Sequence, residues 1–131
     1  MKKENPNMDV TTATFQQDVI ERSHELPVVV DFWAAWCGPC RMLGPAIEDE
    51  VAKRDGKLQL AKIDVDAERT LAAQYGIQSI PTVAVFRDGK PATRFVGAQP
   101  AAAIGRFLDQ AIEQHSAMTE ENLVPVRGRL V

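Results

Sequence analysis

Cysteine is nearly absent from this 131-residue chain, which has two, and histidine is as scarce, with His24 and His115 far apart in sequence. A structural zinc site ordinarily uses a second Cys-x-x-Cys or a nearby histidine pair, so metal chemistry finds no support here. No apolar run approaches the ~20 residues that cross a bilayer. The start, Met1-Lys2-Lys3-Glu4-Asn5-Pro6, passes into polar residues where a secretory signal would be apolar. Basic charge is not in excess either: 15 Lys and Arg against 18 Asp and Glu leave a net charge of -3, which argues against a nucleic-acid surface. A Gly-rich phosphate loop is also missing, so no nucleotide cofactor is expected to bind. Long linkers, low-complexity tracts and internal repeats are missing too. The expectation is a cytoplasmic, monomeric protein without membrane or nucleic-acid partners. Its 45% hydrophobic and 25% charged residues suit one core and not two.

What the chain does have is concentrated at Trp36-Cys37-Gly38-Pro39-Cys40. Both cysteines lie here, three positions apart, directly after the apolar run Val28-Val29-Val30-Asp31-Phe32-Trp33. A run of Val, Phe and Trp reads as a buried strand. Gly38 frees the backbone to turn, and Pro39 fixes a torsion angle suited to the first turn of a helix. Both sulfurs therefore gather at a helix start. Unpaired backbone N–H groups and the helix dipole stabilise negative charge there, so a thiol loses its proton more readily than free cysteine, whose pKa is about 8.5. A structural disulfide is the blander reading, but closing so small a ring stabilises a fold by roughly 2 kcal/mol, less than the ~3 of a fifteen-residue loop. Two inert buried thiols would leave Gly38-Pro39 and Trp36 unexplained. A dithiol that cycles between states accounts for all of these residues and suits the cytosol.

Helical and strand patterns alternate along the rest of the chain, which predicts an α/β domain. Thr11 or Thr12 is placed to cap a first helix that buries Phe15, Val19 and Ile20 and ends before Pro27. Strand 28–33 follows, apolar throughout as a central strand should be. A helix from Cys37 to about Arg54 is expected to bury Met42, Leu43, Ile47 and Val51 and to bend at Pro45. Residues 58–65 read as a strand, Asp66 as the cap of a short helix through Tyr75, and 82–86 as another strand. Asp88-Gly89 signals a tight hairpin into an antiparallel strand at 92–96. A last helix, roughly Pro100 to Gln114, carries Ile104, Phe107, Leu108 and Ile112 on one side.

Two further residues draw notice. Asp31 is an ionisable group inside an apolar strand. Left charged and unpaired there it would cost several kcal/mol, so its pKa should rise until it can exchange a proton near neutrality. The alternative is a carboxylate at a strand end, bonded to solvent or backbone. For Ile80-Pro81, a trans turn before a strand is the default, since only about 5–6% of X-Pro bonds in folded proteins are cis.

Helix, strand, helix, strand, helix, hairpin, helix, with the dithiol after the first strong strand, resembles the thioredoxin fold. Val30-Asp31-Phe32-Trp33-Ala34, Trp36-Cys37-Gly38-Pro39-Cys40-Arg41, Ala61-Lys62, Tyr75-Gly76-Ile77, Ile80-Pro81-Thr82 and Val96-Gly97-Ala98 match that family's pattern in order. The likeness runs from about Val10 to Gln114. It divides the chain into an N-terminal arm (1–9), a thioredoxin domain (10–115) and a flexible C-terminal extension (116–131). It implies a central mixed sheet of four to five strands flanked by about four helices. The weak Met8-Asp9-Val10 segment leaves the family's first edge strand in question. Ala35 stands where many members carry a charged residue, a surface change that bears on partner choice and not on chemistry.

By this resemblance the protein is a protein-disulfide reductase. Cys37, at an exposed tip, attacks a substrate disulfide, and Cys40, shielded one turn deeper, resolves the mixed disulfide. Asp31 would lie beneath Cys40 as its proton relay, with Lys62 as charge neighbour. Pro81 would be cis and present the Ile80 backbone to an extended substrate segment. Trp36, Gly38, Pro39, Gly97 and Ala98 would line the shallow groove, with Trp33 in the core. A histidine beside the nucleophile would stabilise the thiolate and make the disulfide a strong oxidant, and Gly38-Pro39 offers none, so reduction is the expected direction. Electrons would come from NADPH through an FAD-containing thioredoxin reductase, with no cofactor on this chain. Ile63-Asp64-Val65-Asp66-Ala67-Glu68, Gly97-Ala98-Gln99-Pro100 and the Ala-rich last helix also look like the thioredoxin domain of co-chaperones that append tetratricopeptide repeats. About sixteen residues follow the last helix, too few for one ~34-residue repeat.

Overall fold

Val28–Trp33 (β2) is the middle strand of a five-stranded mixed sheet in the computed structural model, which describes the backbone of residues 7–129 and the side chains of residues 7–115. The order is β1-β3-β2-β4-β5, with β1 at Asn7–Asp9, β3 at Gln59–Asp64, β4 at Thr82–Arg87 and β5 at Lys90–Val96. β3 runs parallel to both β1 and β2, whereas β4 is antiparallel to β2 and to β5. Helices α1 (Gly38–Ala52), α2 (Arg69–Gln74) and α3 (Ala101–Arg129) flank the sheet. The α/β thioredoxin architecture expected from the sequence is therefore present.

A strand covered on both faces must be apolar at every position, and side-chain alternation then divides it between two cores. Val28, Val30 and Phe32 pack with Phe15, Val19, Leu71 and Phe86 on one face. Val29 turns to the other, against Leu43, Ile47 and Val51 of α1 and Ile104 and Leu108 of α3. β2 is thereby held rigid between two layers, and the chain leaving its end at Trp33 carries the dithiol.

The first helical segment is a π-helix at Gln16–Glu21 followed by a 3-10 turn at Arg22–His24. Phe15 and Val19 are buried as expected, but no side chain caps the π-helix. The Thr11 amide instead donates to Thr14 Oγ1 at 3.0 Å, a turn upstream. Buried Ser23 joins this segment to the hairpin: its hydroxyl donates to the Ile20 carbonyl at 2.6 Å and accepts the Gly89 N–H at 2.7 Å. Asp88 and Gly89 both have positive φ, 54° and 82°, as a two-residue hairpin turn demands.

Four readings need correction. Met42 is 73% exposed, because the buried stripe of α1 is Cys40, Leu43, Gly44, Ile47 and Val51, and Met42 lies about 100° away from Leu43. Asp66 caps nothing; Asp64, two residues earlier, accepts the Asp66 N–H at 2.9 Å and shapes the turn, and α2 begins after Glu68. The questioned edge strand exists: residues 7–9 pair with β3, Met8 opposite Ala61, so part of the presumed arm belongs to the sheet. Ladder hydrogen bonds are made by the backbone, so three residues without an apolar pattern suffice. α3 is assigned as far as Arg129 instead of ending near Gln114; the side chains of residues 116–131, and the flexible extension expected there, lie outside the described part.

Phe86 ties the first core together, with rings edge-on to Phe15 at 5.7 Å and to Tyr75 at 5.3 Å between centroids. Phe86→Ala should lower the free energy of urea unfolding by ~3–5 kcal/mol. A loss below about 1 kcal/mol would contradict this placement of the core.

Candidate active site

Cys37 occupies the N-cap of α1 with an extended backbone, φ -87° and ψ 111°, and Pro39 falls in the first turn. The first backbone donors of a helix have no partner within it, and a cap side chain ordinarily accepts one. Here the acceptor is sulfur: the Cys40 N–H points at Cys37 Sγ from 3.1 Å. A thiolate at Cys37 would thus receive a hydrogen bond and face the positive end of the helix dipole. The two sulfurs are joined in a Cys37–Cys40 disulfide with Cα atoms 5.2 Å apart.

Cys37 is not an exposed tip in this oxidised form. It is 4% exposed and Cys40 is 5% exposed, so the expected contrast between them is absent. Ala34, Trp33, Val65 and Ile80 enclose the pair, and the Ile80 carbonyl lies 3.8 Å from Cys37 Sγ. What reaches solvent is the rim, where Gly38 and Pro39 are exposed and Trp36 is 67% exposed.

The rim is assembled from distant segments. The Ile80-Pro81 peptide bond is cis, against the trans default and in line with the resemblance. The Gly97 N–H donates to the Pro81 carbonyl at 2.8 Å, and Gly97 has φ +91°, a conformation that L side chains avoid. Gly97 is thus tethered to Pro81, and Ala98 follows it, exposed. Trp36 is held by its indole Nε1, which donates to Asp66 at 2.8 Å. Asp66 is a site contributor that the sequence reading assigned to a helix cap. Trp33 packs against the sulfurs from the core, half-buried.

Asp31 is 1% exposed and sits mid-strand on the face of β2 that α1 covers, the same face as Val29. It lies within the strand and not at its end, and its Oδ1 is buried without a hydrogen-bond partner. Lys62 is its register neighbour on β3, but the Lys62 ammonium pairs with Glu48 of α1 at 2.6 Å and stands 5.8 Å from the Trp33 ring centre. Burial pushes the Asp31 pKa up to about 6; the Lys62 charge draws it down and the Glu48 charge raises it. Glu48 escaped the sequence reading, although Cys40, Gly44 and Glu48 recur every four residues on one side of α1.

A carboxyl whose pKa rises from 3.8 to about 6 on folding disfavours the native state once ionised. The stability it permits is complete below about pH 4 and is lost as pH rises through about 6, by about 3 kcal/mol for a rise of about two units. Asp31→Asn should therefore unfold at higher urea than wild type at pH 7 and lose this pH dependence. A wild-type-to-variant difference that is the same at about pH 4 and pH 7 would contradict it.

A model of the thioredoxin family matches residues 7–110. The chain is 44% identical over 101 residues to Thioredoxin 1 of Synechococcus elongatus, covering 77% of this chain and 92% of that protein. It is 42% identical over 106 residues to Thioredoxin 1 of Nostoc sp., covering 81% and 94%. With the thioredoxin of Mycobacterium tuberculosis it shares 45% over 103 residues, 79% and 87% of the two chains. The co-chaperone reading gains nothing from these relatives. The Cys37–Cys40 pair, on this background, makes the protein a thiol-disulfide oxidoreductase that reduces disulfides. From the edge strand at Asn7 to the last helix, this chain belongs to the thioredoxin family.

Proposed function

We propose that Cys37 is the attacking sulfur, Cys40 the resolving one and Asp31 the proton acceptor between them. The observation that carries this division is the Cys40 N–H directed at Cys37 Sγ, which favours negative charge on Cys37 and leaves Cys40 to wait as a thiol. The Cys37 thiolate attacks a substrate disulfide, forming a mixed disulfide and releasing one substrate thiolate. Cys40 gives its proton to Asp31 and attacks Cys37, which breaks the mixed disulfide, forms the internal bridge and frees the second substrate thiolate. Two electrons pass to the substrate. A carboxyl held at about 6 suits the exchange, because a base works best when its pKa is near the working pH.

The substrate segment would lie along the rim of Trp36, Gly38, Pro39, Ile80, Pro81, Gly97 and Ala98, pairing with the Ile80 backbone as an added strand. In the oxidised form the Ile80 carbonyl faces Cys37 Sγ, and this contact supports a path to the sulfur along that edge. Reduction of the internal bridge is assigned to a thioredoxin reductase that carries FAD and draws on NADPH. Neither cofactor is assigned to this chain, and no cluster of His, Cys, Asp and Glu among the described residues could hold a metal ion. No helix among the described residues is long and apolar enough to cross a membrane, and the cytoplasm, with a monomeric protein, is the setting proposed.

Insulin disulfide reduction driven by dithiothreitol tests the division of labour. Cys37→Ser should abolish turnover, whereas Cys40→Ser should accumulate a covalent adduct with substrate that mass spectrometry detects. Equal residual turnover in the two variants would overturn it.

A further inference from the structure

At the register position next to Asp31 stands an ion pair that the proposed chemistry does not use. Lys62, on β3, faces Asp31 across the strand register, yet its ammonium is bound at 2.6 Å by Glu48 of α1. Asp31 Oδ1 has no hydrogen-bond partner. Both members of the pair are partly shielded, with side chains 20% and 35% exposed, so solvent screens them incompletely. We propose that Glu48 is a positioning residue for the disulfide exchange: by holding the Lys62 ammonium toward α1, it leaves the Asp31 carboxylate unpaired and so keeps it a proton acceptor. The inference rests on the reading of Asp31 as the base for Cys40.

Asp31 and Glu48 compete for one cation. An ammonium within ~4–6 Å of a carboxylate lowers its pKa by about 1–3 units. If Lys62 swung to Asp31, the buried carboxylate would gain a partner, stay ionised to lower pH and lose basicity. Glu48 opposes this twice, by occupying the ammonium and by placing its own negative charge near Asp31; the second effect also raises the Asp31 pKa. Among the described residues, Lys62 and Glu48 are the charges that act on Asp31. On this face β4 presents Val83 and Val85, and α3 presents Ile104, Leu108 and Ala111. At the start of α1 the titratable groups are Cys37 and Cys40, which are bonded to one another in the oxidised protein.

The test is the titration of the Asp31 side-chain carboxyl, followed by carbon NMR in the oxidised protein, where no thiol titrates. Wild type should show a midpoint of about 6. Glu48→Gln should lower it by about one unit as Lys62 turns to Asp31, and Glu48→Asp should restore much of the wild-type value. In a Lys62→Met background, Glu48→Gln should produce a clearly smaller drop, because only the direct charge effect remains. An unmoved or raised midpoint in Glu48→Gln overturns the proposal, and so does a drop of equal size with and without Lys62. The pH profile of adduct resolution provides the separate check. If the Asp31 midpoint moves as described and the resolution profile does not follow, the positioning by Glu48 stands and the assignment of Asp31 as base fails.

Discussion

One hydrogen bond, from the backbone of Cys40 to the sulfur of Cys37, underlies the roles proposed for the two cysteines. It exists because β2 delivers the chain to a turn at Ala34–Trp36 and Pro39 then commits it to a helix, so the N-cap is a cysteine where a serine or aspartate would ordinarily stand. Burial works against it, since an apolar surround raises a thiol pKa. A helix terminus contributes up to ~2 kcal/mol in partly buried geometries, equivalent to about 1.5 pKa units, and the directed N–H adds to that. Cys40 follows within the first turn and is equally buried.

In the middle of β2 the fold keeps a buried carboxylic acid where packing alone would favour an apolar residue. Asp31 lies in a strand otherwise composed of Val, Phe and Trp, under a helix that contributes Leu43 and Ile47 to the same layer. Once ionised, that carboxyl disfavours the native state, and in the proposed chemistry it serves as the base. The cation that would quench the base is present at the neighbouring register position and is held by α1. On the proposed reading, stability and reactivity are set against one another at this single position, with Lys62 and Glu48 setting the balance.

Much of this was legible from local signals. Val28 to Trp33 reads as a central strand because every position is apolar except Asp31, and Asp88-Gly89 reads as a hairpin because both residues tolerate positive φ. The dithiol and its helix follow from five consecutive residues. What the sequence concealed depends on contacts between distant segments. Cys37 is covered by Ile80, more than forty positions away, so its burial has no local signature. Met42 is as apolar as Leu43, and only the packing of α1 on the sheet decides which of them is inside. Asp66 stands where a helix cap would, but Asp64 shapes that turn and frees Asp66 for the Trp36 indole. Glu48 becomes meaningful only once β3 sets Lys62 opposite Asp31.

The claim on which the rest depends is that the two reduced thiols differ, with Cys37 the acidic one. Alkylation of the reduced protein by iodoacetamide as a function of pH, with the modified cysteine identified by mass spectrometry, measures this directly. The account predicts early modification at Cys37 with a midpoint well below the ~8.5 of a free thiol, while Cys40 stays unmodified. Two thiols that react alike, with a common midpoint near or above ~8.5, would contradict it.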